Sequence, residues 1–361
     1  MVLKRNRKKT KAVFIGPVQI GAGAPVVVQS MTSTDTRDVK ATISQIRRLV
    51  RAGCELVRVA VPDGEAASAI GAIKQSITVP LIADIHFNYR LALESIRQGA
   101  DAIRINPGNI PAKHLGEVIR AARDAGIAVR IGVNSGSLDK TALKKFGSPT
   151  ADALVESALR SIELFESLGF TSIKLSLKSS DVSAMIEAYR SISRKTDYPL
   201  HLGVTEAGSL VQAAIKSSIG IGGLLNEGIG DTIRVSVTGD PVQEMQVAYG
   251  ILRALGIREV GPDIISCPTC GRCEIDLAVL ARKVERALAG RKEHLKVALM
   301  GCVVNGPGEA AEADIGIAGG HGSGILFKKG KAVKRVGEAQ FVQCLLEEIN
   351  AMTSGREENL E

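Results

Sequence analysis

The sequence predicts an α/β protein in which a (β/α)8 TIM barrel is followed by a small α+β domain. Between residues 25 and 256, eight short β-branched runs alternate with longer segments of helical period, as a parallel barrel requires. No G-x-G-x-x-G motif follows the first run, which argues against an open dinucleotide-binding sheet. The alternation stops after residue 256, and a chain of 361 residues has room for a second domain, predicted over residues 262–353.

The predicted strands are, in chain order, PVVVQSMT, ELVRVAV, PLIADIH, DAIRINPG, AVRIGVN, SIKLSLK, PLHLGVTEAG and TIRVSVTG. Helical patterns lie between them. One of these patterns, ADALVESALRSIELFESLG, follows Pro149 and Thr150, which are residues typical of a helix start. Eight strand-plus-helix units of this kind fit the usual barrel length of about 250 residues.

Residues 1–24 are predicted to form a basic segment ahead of the barrel, and the run from Lys4 to Lys11 is expected to be solvated. Gly16 and Pro17 break the apolar run that follows, so no secretory signal is expected. The other apolar runs fall short of the ~20 residues of a membrane-spanning helix. We therefore expect a cytoplasmic protein without a membrane partner.

The net charge of +8 raises the question of nucleic acid. Aromatic residues make up only 3% of the chain and tryptophan is absent, so side chains on which bases could stack are scarce. We therefore expect no nucleic-acid partner, and the excess of positive charge needs another explanation.

Polar side chains at the ends of the predicted strands offer that explanation, because (β/α)8 enzymes carry their chemistry at the carboxyl ends of the strands. Spacings of two or four residues, as in Arg104 with Asn106 and Arg130 with Asn134, keep both side chains on one face of a strand. The full set is Arg58, Asp84, His86, Arg104, Asn106, Arg130, Asn134, Lys174, Lys178, His201, Glu206, Arg234, Ser236 and Thr238.

Any one of these charges could be a paired structural residue of a barrel interior. Together, however, roughly six cations have only Asp84, Glu206 and Asp231 as candidates for compensation. Because the planar fork of arginine suits phosphate oxygens, this excess predicts a multiply anionic ligand, either a diphosphate or a bisphosphate.

The second domain is predicted from a mixed pattern after the barrel. In order, it reads as a cysteine loop CPTCGRC, a helix over EIDLAVLARKVERALAG, a strand KVALM, a glycine-rich turn GCVVNGPGEAAEA, two strands DIGIAG and GILFKKG, and a terminal helix from about Glu338. Each of the two loops follows an apolar stretch, and the loops are expected to meet if those stretches pair as strands.

The two loops together offer Cys267, Cys270, Cys273, Cys302 and Glu309. Cysteines this close together in a cytoplasmic protein indicate a metal or redox site rather than a disulfide framework. From the spacing alone, a structural zinc site and an iron-sulfur cluster both remain open.

Seven motifs are PLIADIHFNYRLAL, RINPGNI, RIGVNSGSL, HLGVTEAG, EGIGDTIRVS, CPTCGR and GCVVNGPGEA. Their identity and order, from about Gln29 to Gly320, resemble the hydroxymethylbutenyl diphosphate synthases of the methylerythritol phosphate route to isoprenoids. The chain leaves no room for the extra central domain of plant-type members, so it resembles the two-domain bacterial form.

The resemblance implies a [4Fe-4S] cluster whose ligands would be Cys267, Cys270, Cys302 and Glu309. It implies a reductive ring opening and dehydroxylation of methylerythritol cyclodiphosphate to hydroxymethylbutenyl diphosphate, with ferredoxin or flavodoxin as electron donor. Cys273 departs from the pattern of many relatives and is a competing thiolate for the fourth position. A head-to-tail homodimer is also implied, in which the cluster domain of one subunit covers the barrel of its partner.

The same resemblance implies roles for the barrel residues. The diphosphate would be bound by Arg58, Arg104, Arg130, Lys174, Lys178 and Arg234, and oriented by His86, Asn106 and Asn134. Glu206 would be the general acid that protonates the departing hydroxyl. The alternative function is a phosphate-binding barrel lyase or aldolase with a structural zinc domain, in which Lys174 or Lys178 would form a Schiff base.

Overall fold

The computed structural model describes residues 7–138, 140–302 and 306–357 of the chain. The chain divides into two compact units after Arg258. Among the helices of the described residues, none is both long and apolar enough to span a membrane.

The first unit is built around a parallel barrel. Its strands are β1 (Val13–Ile15), β2 (Val18–Ile20), β3 (Val27–Met31), β4 (Leu56–Ala60), β5 (Leu81–Asp84), β6 (Ala102–Ile105), β7 (Ala128–Asn134), β8 (Ile173–Lys178), β9 (His201–Leu202) and β10 (Thr232–Ile233). Strands β3 to β10 pair in the order β8-β7-β6-β5-β4-β3-β10-β9, and a parallel bridge between Leu175 and Leu200 joins the two ends of this sheet. The predicted (β/α)8 barrel is confirmed, and each of the eight predicted strands is present.

Helices follow the barrel strands. They are α1 (Val39–Arg51), α2 (Gly64–Gln75), α3 (Tyr89–Arg97), α4 (Ala112–Asp124), α5 (Lys140–Phe146), α6 (Ala151–Ser167), α7 (Val182–Lys195), α8 (Leu210–Ser217), α9 (Gly223–Asn226) and α10 (Val242–Ala254), with 3-10 turns at Pro107–Asn109 and Ser135–Ser137 and a π-helical turn at Ser218–Gly222. Thr150 accepts a hydrogen bond from the backbone N–H of Ala153 and begins α6 as predicted. Asp38, Asp63 and Asp181 cap α1, α2 and α7 in the same way.

The antiparallel hairpin β1–β2 covers the amino ends of the barrel strands. Its side chains Val13, Ile15 and Ile20 are at most 2% exposed and pack with the first residues of several barrel strands, among them Val27 and Leu56. This apolar contact stabilises the hairpin against the barrel. The sequence does not predict these two strands, because runs of three residues are too short to give a periodic pattern.

The basic run that was expected to be solvated makes specific contacts from Arg7 onward. Arg7 forms an ion pair of 3.2 Å with Asp231, and the hydroxyl of Thr10 donates to the same carboxylate at 3.0 Å. Lys8 donates to the backbone carbonyls of Ser193 and Thr196. The expectation of solvation is therefore wrong for these residues, while the beginning of the run at Lys4 lies outside the described residues.

The second unit contains a five-stranded mixed sheet. Its strands are β11 (Pro262–Ser266), β12 (Leu295–Met300), β13 (Ile315–Gly320), β14 (Ser323–Lys328) and β15 (Lys331–Gly337), and its helices are α11 (Leu277–Leu288), α12 (Gly306–Ala311) and α13 (Phe341–Glu357), with a 3-10 turn at Glu338–Gln340. The first three strands are parallel, and β14 and β15 continue the sheet in antiparallel pairing. Apolar residues of α11, α13 and the sheet form the core of this unit.

Most of the second unit agrees with the sequence pattern, and the predicted α+β class is confirmed. The sequence pattern did not predict β15, since six of its seven residues are exposed and it carries no apolar alternation. Residues 306–311 form α12, although the sequence predicted a glycine-rich turn there; residues 303–305 of that predicted turn lie outside the described residues.

Candidate active site

Four of the predicted site residues lie side by side across four neighbouring strands. The register pairs Asp84 of β5 with Arg104 of β6, Arg104 with Arg130 of β7, and Arg130 with Lys174 of β8. Residues in register on parallel strands point to the same face of the sheet. All four side chains are buried, with at most 4% of each residue exposed, so the row lies in the barrel interior.

Asp84 is the carboxylate at the centre of this row. Its oxygens lie 3.2 Å from Nη1 of Arg104, 3.5 Å from Nε of Arg58 and 3.8 Å from Nε2 of His86. Burial raises the pKa of Asp84, but the guanidinium groups of Arg58 and Arg104 outweigh burial and hold that pKa below its ordinary value. Asp84 is therefore ionised and partly neutralises the two arginines.

Arg58 and Arg104 make few further contacts. Nε and Nη2 of Arg58 lie 3.1 and 3.0 Å from the sulfur of Met31, which is a weak acceptor. Burial lowers the pKa of Arg58 to about 10 against the opposing effect of Asp84. Arg104 donates to the carbonyl of Gly132 at 3.4 Å, while its Nε is buried without a hydrogen-bond partner among the described residues.

Several other buried donors of the barrel also lack partners. Within the described residues, no hydrogen bond reaches Nε or Nη1 of Arg130, Nζ of Lys174 or Nε2 of His201. Buried polar atoms in native proteins are nearly always paired, because an unpaired one costs about 1–3 kcal/mol. These buried polar atoms are therefore available to a ligand.

The pKa values of these groups reflect the crowding of positive charge. Burial, and then the charges of neighbouring arginines, lower the pKa of Arg130 and of Lys174 well below the ordinary values. Burial and Arg130 lower the pKa of Lys178 in the same way. A bound anion would reverse the electrostatic part of this effect, since opposite charge favours the protonated forms.

Lys178 lies at the end of β8, close to Gly203. A Cβ atom on Gly203 would lie only 2.7 Å from Nζ of Lys178, so the glycine makes room for the lysine side chain. Lys178 is 6% exposed and has no ion-pair partner among the described residues. Its amine is therefore free to contact a ligand.

Arg234 has a partner that the sequence analysis missed. Its Nη2 lies 2.9 Å from Oε1 of Glu244, a carboxylate on α10 that is 1% exposed and also accepts from the hydroxyl of Ser30 at 2.7 Å. The expected sources of compensation were Glu206 and Asp231 in addition to Asp84. Asp231 instead binds Arg7 and Thr10 near the amino end of β10, which leaves Glu244 as the second carboxylate of the site.

Glu244 could not be selected from its pattern, because it lies in the first turn of a helix rather than at a strand end. The sequence feature that could have indicated it is a charged residue directly before the apolar Met245, at the start of a helix.

Glu206 follows β9 and is exposed. Its φ of 53° lies in the left-handed region, which is uncommon for residues other than glycine and costs of order 1–3 kcal/mol. No hydrogen bond or ion pair of Glu206 is found among the described residues, so it is not the salt-bridge partner of Lys178 or Arg234. Strain of this kind is frequent where a side chain must be presented to a ligand.

The remaining predicted residues fall into two groups. Asn106 donates to the carbonyl of Ser137 at 2.8 Å and accepts from the N–H of Gly108 at 3.2 Å, so its amide joins two loops and is not free. Asn134, with its amide oriented to suit its neighbours, accepts from Nη2 of Arg104 at 2.9 Å. His86 has about half of its side chain exposed and borders Asp84.

The cysteine loop of the second unit is bonded to the segment that carries Cys302. The pairing of β11 with β12 brings the two predicted loops together, as expected. Between them, the N–H of Gly301 donates to Sγ of Cys267 at 3.4 Å, and the N–H of Glu274 donates to the carbonyl of Gly301 at 2.9 Å. Cys273 donates to the carbonyl of Ile275 at 3.2 Å and packs in the core of the unit.

The donor set suits a thiolate-bound metal group. Hydrogen bonds from the backbone and side chain of Arg272 lower the pKa of the exposed Cys270 thiol, which favours the thiolate that binds metal. Glu309 lies in the first turn of α12. In the described ranges no three such donors converge on one point, so the structure supplies the donor types but not a coordination geometry.

A parallel eight-stranded barrel with a row of buried charged residues in its interior has the architecture of the (β/α)8 enzymes. The model of the GcpE TIM-barrel domain matches residues 10–249, and the model of the GcpE protein C-terminal domain matches residues 263–351. The chain therefore belongs to the GcpE family, and the resemblance inferred from its motifs is confirmed. The match begins earlier than Gln29 and ends later than Gly320, the limits that the motifs suggested.

Curated relatives match the chain over nearly its whole length. A protein of Thermodesulfovibrio yellowstonii named 4-hydroxy-3-methylbut-2-en-1-yl diphosphate synthase (flavodoxin) is 60% identical over 95% of this chain and 99% of its own. Proteins with the same name from Caldanaerobacter subterraneus and Geobacter sulfurreducens are 58% and 54% identical, over 96% and 95% of this chain and 98% of each relative.

Proposed function

We propose that the protein is a 4-hydroxy-3-methylbut-2-en-1-yl diphosphate synthase. It converts 2-C-methyl-D-erythritol 2,4-cyclodiphosphate to 4-hydroxy-3-methylbut-2-enyl diphosphate with electrons from flavodoxin. Two electrons enter, the carbon–oxygen bond of the ring to one phosphate breaks, and a hydroxyl leaves as water with an added proton. The observation that carries this proposal is the set of buried cationic donors in the barrel interior that have no partner among the described residues.

The barrel residues bind and orient the diphosphate. Arg58 and Arg104 are held in place by Asp84, and Arg234 is held by Glu244, so these guanidinium groups are fixed before the ligand arrives. The other groups that contact the diphosphate are the side chains of Arg130, Lys174 and Lys178, whose nitrogen donors have no partners among the described residues. Charge-assisted hydrogen bonds from such groups are worth about 1.5–3 kcal/mol each.

The neutral polar residues support this site in different ways. The amide of Asn106 is used within the protein, so it positions the loop after β6 rather than contacting the ligand. Asn134 orients Arg104, and the partly exposed ring of His86 can reach the ligand. Glu206 donates the proton to the departing hydroxyl, since its exposed carboxyl has no partner among the described residues.

The second unit would hold a [4Fe-4S] cluster through Cys267, Cys270, Cys302 and Glu309. When bound, such a cluster supplies single electrons at low potential. The lowered pKa of the Cys270 thiol supports its role as a ligand. Two copies of the chain would form a head-to-tail dimer, as the family resemblance implies.

The alternative, a phosphate-binding lyase or aldolase with a structural zinc site, is not favoured, since the relatives are named as flavodoxin-dependent synthases. Metal content separates the two functions. Protein prepared without oxygen is expected to be brown, with about four iron and four sulfide per chain, whereas the alternative predicts colourless protein with zinc.

Turnover tests the proposal directly. With reduced flavodoxin, the protein should convert the cyclic diphosphate to a linear diphosphate, which phosphorus NMR distinguishes because only the linear product has a terminal phosphate whose second ionisable oxygen makes its signal depend on pH. Cys302→Ser should bind the cyclic diphosphate but not convert it. Absence of conversion by wild-type protein with full iron content would refute the proposal.

A further inference from the structure

Three polar residues in the barrel interior have side-chain atoms without partners. Lys174, His201 and Gln29 lie on β8, β9 and β3, and none of them is more than 1% exposed. Among the described residues, no hydrogen bond reaches Nζ of Lys174, Nε2 of His201 or either side-chain polar atom of Gln29. These groups are too deeply buried to be explained by contact with solvent.

The charges around Lys174 are almost all of its own sign. Arg130 is its register neighbour on β7, the charge of Arg58 on β4 also acts on it, and His201 lies on β9. Asp231, just before β10, is the one carboxylate among the described residues that acts on Lys174. That carboxylate already binds Arg7, Thr10 and the N–H of Leu200, so it forms no ion pair with the lysine.

Burial, and then the charges of Arg130 and Arg58, lower the pKa of Lys174 well below that of a free lysine. The pKa of His201 is also lowered, by burial first and then by Arg130, so its ring is neutral and its Nδ1 bonds the hydroxyl of Thr232 at 2.7 Å. Before an anion binds, burial and the two guanidinium charges therefore shift Lys174 towards its neutral form.

A diphosphate bound to Arg58 and Arg130 removes much of the repulsion that disfavours a charged Lys174. The anion neutralises the two guanidinium groups that face the amine, and burial in a medium of low dielectric constant makes each such change large. Lys178 lies four residues farther along β8, beside Gly203, where it contacts the ligand directly.

We propose that Lys174 takes up one proton from solvent when a diphosphate binds, so that the barrel adjusts its positive charge to that of the ligand. The proton moves from water or buffer to Nζ, and no other bond changes. The side chain of Lys174 thus carries a positive charge when the anion is bound and is neutral when it is not. This inference rests on the proposed diphosphate site.

The proton can be counted by calorimetry. We would titrate the protein at about pH 7.5 with P1,P2-dimethyl diphosphate, whose two acidic oxygens are ionised throughout the neutral range, so that the probe itself exchanges no proton. Repeating the titration in buffers of different ionisation enthalpy gives the number of protons taken up. Wild-type protein is expected to take up a proton on binding, and the uptake should fall at higher pH, where solvent protons are scarcer.

Two substitutions assign that proton. Lys174→Met and Lys174→Arg should both lose the uptake assigned to this residue, the first because no charge can form and the second because arginine is always protonated. Lys174→Arg should retain affinity better than Lys174→Met. Lys113→Met, at an exposed position on α4, is the matched control and should leave the uptake unchanged.

The outcomes separate this inference from the proposed function. Failure of the wild-type protein to bind the probe would overturn both. Binding without proton uptake, or equal uptake by wild-type protein and by either folded Lys174 variant, would overturn the role of Lys174 alone. Thermal unfolding of each variant shows whether it is folded, and the wild-type proton count stands even where a variant is not.

Discussion

The guanidinium group of Arg104 lies across the backbone of Gly132 on the neighbouring strand. A Cβ atom on Gly132 would overlap Nε of Arg104 and lie 2.9 Å from its Nη2. Gly132 stands between Arg130 and Asn134 on the inner face of β7, so its missing side chain creates the space in which Arg104 reaches Asp84. A backbone position thus determines where a ligand-binding side chain can lie.

Gly132→Ala should therefore weaken binding of the cyclic diphosphate by about ten- to a hundredfold, because Arg104 must leave its position and a charged hydrogen bond is worth about 1.5–3 kcal/mol. Calorimetric titration measures the change. Gly116→Ala on α4 is the control, since no atom lies within 4 Å of a Cβ there. Equal affinities of Gly132→Ala and wild type would show that Arg104 does not bind the ligand from this position.

Arg130→Met should weaken substrate binding by about 1.5–3 kcal/mol while leaving the visible spectrum of the second unit intact. The same substitution should raise the free energy of unfolding without ligand, because it removes a buried charge whose Nε and Nη1 have no partner among the described residues. Denaturant unfolding and calorimetry measure the two effects. Loss of stability together with loss of affinity would mean that Arg130 is structural.

Arg104→Met should behave differently from Arg130→Met. It also loses affinity by about 1.5–3 kcal/mol, but it removes one of the partners of Asp84 and should not stabilise the protein. Comparing the two unfolding curves tests this difference, and a gain in stability for both variants would contradict it.

Asp84 should make stability depend on acid pH. Its pKa in the folded protein is lower than in the unfolded chain, so its contribution is complete above about pH 4 and is lost as the pH falls towards the folded value. Asp84→Asn should cost about 3–5 kcal/mol at neutral pH, and its difference from wild type should shrink below about pH 4. Urea unfolding over a pH series measures this, with the exposed Asp197→Asn as control. A difference that does not change with pH would exclude this role.

The cysteines should separate into ligands and a bystander. The thiol of Cys273 donates to the carbonyl of Ile275 within its own loop, so Cys273→Ser should keep the cluster and most activity. Serine at Cys267, Cys270 or Cys302 should lose the cluster, as measured by iron and sulfide content and the visible spectrum.

Glu309→Gln should alter the cluster and remove most turnover. An inactive Cys273→Ser beside an active Glu309→Gln would instead show that four thiolates bind the irons.

Glu206→Gln should keep substrate affinity and cluster content but lower kcat, by about 100- to 10,000-fold if it supplies the proton. Glu187→Gln, at an exposed position on α7, is the control. Steady-state kinetics separate kcat from KM, and an unchanged kcat over the whole pH range would remove Glu206 from the reaction.

The sequence predicted the barrel and the row of cations for a simple reason. Residues two or four apart on a strand share a face, so Arg104, Arg130, Lys174 and Lys178 could be assigned to the barrel interior from their spacing alone. Strand periodicity does not indicate Glu244, because this carboxylate lies on helix α10 and reaches Arg234 only through tertiary packing. Partners contributed by another element are not encoded in local periodicity.

Other differences also have physical causes. The amide of Asn106, expected to orient the ligand, donates to the carbonyl of Ser137 in a later loop, and β15 has charges where a buried strand would have apolar residues. The left-handed backbone of Glu206 leaves no trace in composition. Local pattern therefore indicated which residues face the site, whereas tertiary contacts determine which of them remain free to act.

The β1–β2 hairpin determines how substrate enters the barrel and how product leaves it. Because Val13, Ile15 and Ile20 cover the amino ends of the barrel strands, a ligand held over the arginines must depart through the same opening by which it arrived. Substrate and product therefore exclude each other at that opening, and product inhibition should be competitive. As product accumulates, the turnover rate should become limited by release of the linear diphosphate through this opening.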